Sequence, residues 1–268
     1  MREISGDIPL SRPQQVRYLF HNLARGMTGL FARVPKKRFH PPPQERGESS
    51  FFRIYIDTFF LYEVPKIFPK RVVRILDIGC GSGYVRTLLT SRGYSGEYTG
   101  IDVVHEERFA RFDTPLFITT FIEKGIERFS PEQTFDFVIS NTSLEHIPDD
   151  ANAVRIAHAS RAPEGIEVHV VPSFWCLFLY VWHGYRQYTP RRIKRLFAGS
   201  HYAVYPLGGI ASFLAHFFLI TIPERTTGKI IFRNRPWYPR VVAWCMQADR
   251  FAPLCPMGYA IVVYEPHS

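Results

Sequence analysis

Cysteine is scarce in this 268-residue sequence, and the four cysteines have no C-x-x-C spacing. That scarcity disfavours disulfides and cysteine-bound metals, so we expect a protein of the reducing cytoplasm. The first residues mix charges without an apolar segment, which predicts no secretory signal. Long apolar runs are also missing. The longest charge-free stretch, 196–223, is broken by glycine and proline, and its continuous apolar part is shorter than the roughly 20 residues that cross a membrane.

Positive charge, in contrast, is plentiful and unevenly spread. The formal net charge is +9, and residues 1–47 contain nine Lys and Arg against three acidic residues. The stretch from Arg186 to Arg195 adds five cations and no acid. A basic surface of this kind favours an anionic partner, and the composition leaves phosphate, nucleic acid and an acidic membrane face open.

Residues 1–47 are predicted to form a unit apart from the rest of the chain. Apolar residues recur at helical spacing and predict an amphipathic helix over 14–33, with a stripe formed by Val16, Leu19, Phe20, Leu23, Met27, Leu30 and Phe31. Gly26 and Gly29 lie off this stripe. Pro35 and the prolines at 41–43 then form a stiff basic linker. The helix is interpreted either as a lid over a pocket or as an element on an anionic membrane surface.

The remaining residues, 48–268, alternate short β-branched runs with helical segments. The strands are predicted at 72–78, 98–103, 116–120, 135–140, 165–171 and 258–264. Helices are expected at 83–92, from the cap Asp149 to about 160, and from Thr189 onward, where proline occupies the first helical position. Such alternation indicates an α/β domain with a parallel sheet covered by helices on both faces. An apolar helical insertion is predicted at about 204–256, before the last strand.

A glycine-rich turn follows the first predicted strand. Asp77 precedes glycines at 79, 81 and 83, where a sharp turn and a close ligand leave no room for Cβ atoms. Asp102 ends the next strand, where a carboxylate can accept hydrogen bonds from both hydroxyls of a ribose. A dinucleotide site wants glycine at the position of Tyr84, and Asp77 would repel a pyrophosphate but suits a cationic ligand. The pattern therefore favours S-adenosylmethionine over a dinucleotide.

These residues carry a resemblance to a known family. The stretch 74–84 resembles the first motif, D-x-G-x-G-x-G, of the class I S-adenosylmethionine-dependent methyltransferases, and 134–149 is similar to that family's fourth strand and the loop after it. With Asp102, the resemblance covers roughly residues 70–200. It implies a Rossmann-like seven-stranded sheet and S-adenosyl-L-methionine as the cofactor.

The resemblance also implies the cofactor contacts. Asp77 would support the amino-acid end, Asp102 the ribose, and Asn141 would lie beneath the sulfonium. The complete predicted set is Asp77, Gly79, Cys80, Gly81, Gly83, Asp102, Val103, Phe121, Ile122 and Asn141. One position departs from the family, because Phe121 stands where an aspartate usually holds the adenine amine. Glu123, a threonine hydroxyl or the backbone would have to replace it.

His146, just past the fourth strand, is the candidate general base, since an unperturbed histidine pKa of about 6.5 suits proton transfer. The alternative is that the Glu145-His146 pair orients the loop. Some relatives bind a metal through E-x-x-E-H, but Thr142 replaces the first glutamate here, so no metal is predicted.

The stretch 182–190 resembles the segment that leads into the acceptor pocket of many relatives. It supplies His183, Tyr185 and Arg186 as candidate substrate contacts. Arg186 suits a carboxylate or phosphate. A purely structural interpretation explains this stretch equally well: the Thr-Pro pair would begin a helix, and the arginine would be a solvated surface residue.

The predicted function is methyl transfer from S-adenosylmethionine to a small or lipid-linked metabolite, with oxygen favoured over nitrogen. Two alternatives remain. An RNA methyltransferase would use the basic surface, but no RNA-binding module is recognisable. The other is a non-catalytic S-adenosylmethionine-binding or scaffold protein that kept the fold and lost the chemistry; the intact glycine turn and Asp102 argue against such a decayed domain. We expect a cytoplasmic location, with peripheral contact to the inner face of a membrane as the alternative.

Overall fold

The computed structural model describes residues 4–44, 46–104 and 107–265. Its centre is a seven-stranded sheet with the order β3-β2-β1-β4-β5-β7-β6. The strands are β1 Val72–Ile78, β2 Ser95–Asp102, β3 Phe117–Glu123, β4 Phe135–Asn141, β5 Arg161–Pro172, β6 Tyr202–Leu207 and β7 Gly258–Val263. Strands β1 to β5 pair in parallel, whereas β7 is antiparallel to both β5 and β6. This topology confirms the predicted fold class.

Ten α-helices surround the sheet in the part of the chain that the structure describes. They are α1 Arg12–Gly29, α2 Phe51–Thr58, α3 Val64–Ile67, α4 Tyr84–Thr90, α5 Asp150–Ser160, α6 Cys176–Leu179, α7 Pro190–Leu196, α8 Ile210–His216, α9 Ile222–Thr227 and α10 Tyr238–Ala248. The predicted caps are observed, since Asp149 accepts from the N–H of Asn152 and Thr189 from that of Arg192. None of the described helices is long and apolar enough to cross a membrane.

The core lies on both faces of the sheet, because successive strand residues point to opposite sides. On β1, Ile75 joins one apolar cluster, with α2, α4 and α10. Its neighbour Leu76 joins the other, with α5 and α7. Both side chains are fully buried. The sheet is therefore covered on both sides, and its ligand-binding edge lies at the carboxyl ends of β1, β2 and β4.

Strand β6 corrects the predicted insertion. Residues 204–207 were assigned to an apolar helix, but they belong to β6, which pairs with β7 from Tyr202↔Val263 to Leu207↔Gly258. The helical insertion begins only at Ile210. The backbone groups of this six-residue stretch are satisfied by pairing with β7 and not by a helix. The linker is not separate either, since Lys37 N–H donates to Val204 O and Val204 N–H to Pro35 O.

Helix α1 packs against a cluster around Phe174, and three leucines of the predicted stripe, Leu19, Leu23 and Leu30, lie partly buried against that cluster. The buried residues of α1 are Tyr18, Asn22, Gly26 and Gly29. A Cβ on Gly26 would lie 1.9 Å from the Phe174 ring, so the glycine allows the helix to approach closely. Much of the apolar stripe faces solvent instead, namely Val16, Phe20, Met27 and Phe31, which are 53–92% exposed.

Candidate active site

In the glycine turn between β1 and α4, the backbone takes a conformation that residues other than glycine adopt only with strain. Gly79, Gly81 and Gly83 have φ values of 67°, 50° and 69°. Space is short as well, because a Cβ on Gly79 would lie 2.3 Å from Ser143 Cβ. The turn thus leaves its backbone open to a ligand. Gly81 and Cys80 line the adjoining pocket, whereas Gly83 lies behind the turn, where a Cβ would meet the Arg86 guanidinium at 2.6 Å.

Asp102 connects this turn to the end of β2. Its Oδ2 accepts the N–H of Gly81 at 2.8 Å, and its Oδ1 accepts the N–H of Val103 at 2.7 Å. The carboxylate therefore fixes two backbone segments at once. Asp102 and Val103 both line a pocket of about 300 Å³, which also contains residues 124–127. This placement is compatible with the predicted ribose contact.

Asp77 lies beneath a second pocket, of about 520 Å³, together with Cys80, Gly81 and Asn141. The Tyr98 hydroxyl donates to Asp77 Oδ2. Asp77 Oδ1 and Asn141 Oδ1 are buried and have no hydrogen-bond partner among the described residues. Burial raises the pKa of Asp77 to about 7. Two unpartnered buried oxygens at one pocket fit the cationic methionine end of S-adenosylmethionine, which would supply the missing charge and donors.

Two predicted adenine contacts do not face these pockets. Phe121 packs against Phe109 on the core side, with ring centroids 4.9 Å apart. Ile122 packs against the opposite apolar cluster. Neither lines the pockets at the glycine turn. The third strand ends at Glu123 and not at residue 120, so the segment that reaches the pocket is 124–127. Gly125, a turn-forming residue just after the strand, could have indicated this segment from the sequence.

A third pocket, of about 240 Å³, adjoins the other two and is the candidate acceptor site. Glu145, His146 and His183 line it, with Arg53 and Tyr180 on the side of α2 and α6. It shares Thr142 with both cofactor-side pockets and Arg53 with the methionine-side pocket. The structure therefore brings together His146, the predicted base, and His183, a predicted substrate contact; their roles stay predictions.

The His146 ring has a carboxylate partner that the sequence did not reveal. Its Nδ1 lies 2.7 Å from Oδ2 of Asp7. Asp7 Oδ1 accepts a hydrogen bond from the N–H of Gly184. Burial alone would raise the pKa of Asp7, but this hydrogen bond and the nearby His146 lower it. Burial lowers the pKa of His183 and raises that of Glu145 to about 7.

Tyr185 and Arg186 are placed away from the acceptor pocket. Arg186 is 1% exposed, and its guanidinium donates to the carbonyls of Ile147 and Pro148, each at 2.7 Å. Tyr185 donates its N–H to Glu145 O, and its ring lies beside the Arg186 guanidinium. Arg186 is thus committed to the loop after β4, and this placement contradicts the predicted contact with an acceptor anion.

A seven-stranded sheet with five parallel strands and an antiparallel β7, a glycine turn after β1 and an acid at the end of β2 together match the class I methyltransferase fold. A family model described as a methyltransferase domain matches residues 19–217. The chain belongs to this methyltransferase family. Membership confirms the predicted methyltransferase family.

The relatives include trans-aconitate 2-methyltransferase of Escherichia coli O1:K1 / APEC, 30% identical over 139 residues, which are 49% of this chain and 53% of the relative. The chain spans about half the length of the curated relatives it matches. Among solved structures, the plantazolicin methyltransferase BpumL, in complex with a desmethylPZN analog and SAH, is 17% identical, with a TM-score of 0.53 over 82% of this chain and 87% of its own. The YcgJ protein of Bacillus subtilis is also 17% identical, with a TM-score of 0.50 over 78% and 99%. These structures share the fold.

Replacing Asp102 by alanine should weaken cofactor binding. The substitution removes the acceptor of Gly81 N–H and the carboxylate next to the predicted ribose position. We expect the affinity for S-adenosylhomocysteine to fall at least tenfold in calorimetry, which corresponds to about 1.4 kcal/mol. Glu97→Ala, an exposed carboxylate on the same strand, is the matched control. Equal affinity of Asp102→Ala and the control would contradict the assignment.

Cofactor affinity should depend on pH through Asp77. Because its folded-state pKa of about 7 lies above the unfolded value of about 3.9, the unliganded protein should lose stability as pH rises from about 4 to 7. A cationic ligand favours the ionised carboxylate, so affinity should rise up to about pH 7 and then level off. Calorimetry from pH 5.5 to 8.5 measures this. Asp77→Asn should flatten the profile, and an unchanged slope in that variant would assign the titration to another group.

Proposed function

We propose that this protein transfers the methyl group of S-adenosylmethionine to an oxygen atom of a small acidic acceptor. The observation that carries the proposal is the position of Arg53. This residue lines both the methionine-side pocket and the 240 Å³ pocket beside it. Its N–H is capped by Ser50, and its side chain has no hydrogen bond or ion pair to a described residue. A half-buried guanidinium at the junction of two pockets suits a carboxylate.

The size and lining of the acceptor pocket support a small substrate. Phe52, Ile56 and Tyr180 close it on one side, and Arg53 and His146 offer polar contacts. A carboxylate is already ionised at neutral pH, so its methylation needs no base. The relatives named trans-aconitate 2-methyltransferase act, by their name, on a small carboxylic acid, which supports the same acceptor class here.

The chain's own residues contribute binding and alignment. S-adenosylmethionine supplies an electrophilic methyl group on its sulfonium. Asp77 and Asn141 would hold the methionine end and Asp102 the ribose, while Arg53 would hold the acceptor. Alignment of the acceptor oxygen with the methyl group accounts for most of the rate in such a displacement. His146 as a general base stays a prediction, needed only for an acceptor that carries a protonated hydroxyl.

A labelled-methyl assay tests the acceptor class. The purified protein is incubated with methyl-labelled S-adenosylmethionine and a panel of small carboxylic acids that includes trans-aconitate. We expect a small product whose label is released by mild alkali, as for a methyl ester, and a KM for the acid at least tenfold higher in Arg53→Gln. Arg92→Gln is the matched control, since that arginine lies outside the pockets at the site.

Other outcomes of this assay contradict the proposal. With a cell extract as the acceptor source, label in the lipid fraction would assign a lipid-linked acceptor, and label in nucleic acid would favour the RNA alternative. Cofactor binding without label transfer to any fraction would indicate a non-catalytic binding protein.

We also propose that α1 lies on the anionic inner face of a membrane. Val16, Phe20 and Met27 form an exposed apolar row within about 40° of arc on the helix wheel, and Phe31, just after the helix, is also exposed. Exposed Arg17, Arg33 and Lys36 flank this row and suit acidic lipid headgroups. The opposite face of α1 is already occupied by Phe174 and Thr189. The row is therefore available to a bilayer while the helix stays docked.

Vesicle sedimentation tests this contact. The protein should sediment with vesicles that contain phosphatidylserine, more weakly with purely phosphatidylcholine vesicles, and less at high salt. The double variant Phe20→Ser, Phe31→Ser should lose at least tenfold in partitioning, because each buried phenylalanine contributes about 1.5–3 kcal/mol. Phe251→Ser is the control, since Phe251 is 91% exposed after α10. An equal loss in the control would contradict a specific role for α1.

A further inference from the structure

A chain of hydrogen bonds leads from the acceptor pocket to the end of α8. Tyr180 lines the pocket, and its hydroxyl oxygen lies 3.0 Å from Nε2 of His216. At the other side of the ring, Nδ1 of His216 lies 3.2 Å from Oγ1 of Thr221. Thr221 Oγ1 in turn lies 3.3 Å from the carbonyl oxygen of Leu179. His216 and Thr221 are both buried, so the inner end of this chain is shielded from water.

A π-helical turn places Thr221 next to the His216 ring. Residues Phe217–Thr221 form this turn between α8 and α9, and the N–H of Ile222 donates to the carbonyl of Phe217. In an ordinary α-helix, residues five apart point in different directions, whereas the i→i+5 hydrogen bonds of a π turn bring them close. Turns of this kind are frequent at functional sites. Here the wider turn gives the histidine ring a fixed partner.

The protons of this chain can be assigned from its inner end. A carbonyl oxygen only accepts, so Thr221 donates its single hydroxyl proton to Leu179 O. Nδ1 of His216 then donates to Thr221 Oγ1, which leaves Nε2 to accept the proton of the Tyr180 hydroxyl.

Burial keeps both rings in this state at neutral pH. It lowers the pKa of His216 to about 4, so that the imidazole stays neutral, and it raises the pKa of Tyr180, so that the phenol stays protonated. The Tyr180 oxygen therefore has no proton left to donate into the pocket, and towards a ligand it can only accept.

We propose that the Tyr180 oxygen accepts a hydrogen bond from a hydroxyl group of the acceptor, so that the preferred substrate is a small hydroxy acid. The inference rests on the proposed function, in which Arg53 of the same pocket holds a carboxylate. An arginine that only donates and a tyrosine that only accepts recognise a carboxylate and a hydroxyl as two distinct groups. Tyr180 is then a specificity residue, and His216 is the positioning residue that sets its polarity.

Two related kinds of acid fit this pocket less well. A keto acid would place an oxygen without a proton against the Tyr180 oxygen, and an acid without the hydroxyl would leave that oxygen unpaired. The Ser50 hydroxyl lies near the same oxygen and also lines the pocket. Its proton rotates, so it can turn away when a ligand binds.

Matched sets of acids test the preference for a hydroxyl. The protein is given labelled S-adenosylmethionine with lactate, pyruvate or propionate, and with 2-hydroxyglutarate, 2-oxoglutarate or glutarate. Within a set, we expect kcat/KM to be about tenfold or more higher for the hydroxy acid. Tyr180→Phe should reduce this preference to less than about threefold, mainly through a higher KM for the hydroxy acid. Tyr264→Phe is the control, since Tyr264 is a partly buried tyrosine after β7 that does not line the pocket.

The protonation of His216 is measured separately by nitrogen NMR of the full-length protein with labelled histidine. The His216 signal is identified as the Nε2 resonance that moves most in Tyr180→Phe. We expect a proton on Nδ1 and none on Nε2 between about pH 5.5 and 8.5, above the lowered pKa of this ring. A proton on Nε2 would overturn the proposal, because Tyr180 would then present its own proton to the pocket.

The outcomes of the acid assay separate this inference from the proposed function. Methylation of the acids without a preference for the hydroxy acid, or a preference that survives in Tyr180→Phe, overturns the inference alone. Absence of methyl transfer to every acid overturns the proposed function, and with it the inference.

Discussion

The hydrogen bond from Gly81 N–H to the Asp102 carboxylate is the interaction on which the site depends. It joins the turn after β1 to the end of β2, two segments that the sheet alone brings near each other. The turn needs this anchor because three of its residues have positive φ, a conformation that a short loop holds only when its surroundings fix it. With the turn fixed, Asp77 and Asn141 face one pocket and Asp102 the next. The pairing of β1 with β2 therefore positions the residues that are predicted to contact the cofactor.

What could be predicted from the sequence was local. Local features such as the glycine turn and the helix caps Asp149 and Thr189 depend on residues a few positions apart. A short stretch of sequence is therefore enough to predict them. The parallel sheet followed from the alternation of elements. Boundaries were less accurate, as at β3, where three further residues extend the strand and move the pocket contact to 124–127.

The rest depended on contacts between distant parts of the chain. Asp7 stands 139 residues before His146, and no spacing rule connects them. Arg186 resembled an anion-binding residue, but tertiary packing directs it to the carbonyls of Ile147 and Pro148. On α1, the periodicity defined an apolar stripe but left open what it contacts, and the structure shows that glycines at 26 and 29 allow a close approach of the backbone to the domain. Periodicity reports which face is apolar, and packing decides which face is buried.

The pairing of the linker with β6 has a consequence for the solubility of the protein. An edge strand presents unpaired backbone groups that can recruit another sheet, and proteins commonly cover such edges. Here Pro35 and Lys37 satisfy the outer N–H and carbonyl of Val204, and the prolines nearby cannot continue the ladder. The segment around residues 35–37 thus covers the edge of the sheet at Val204. Removal of residues 1–47 would expose the backbone N–H and carbonyl of Val204 at the edge of the sheet, where a strand of another molecule could pair with them.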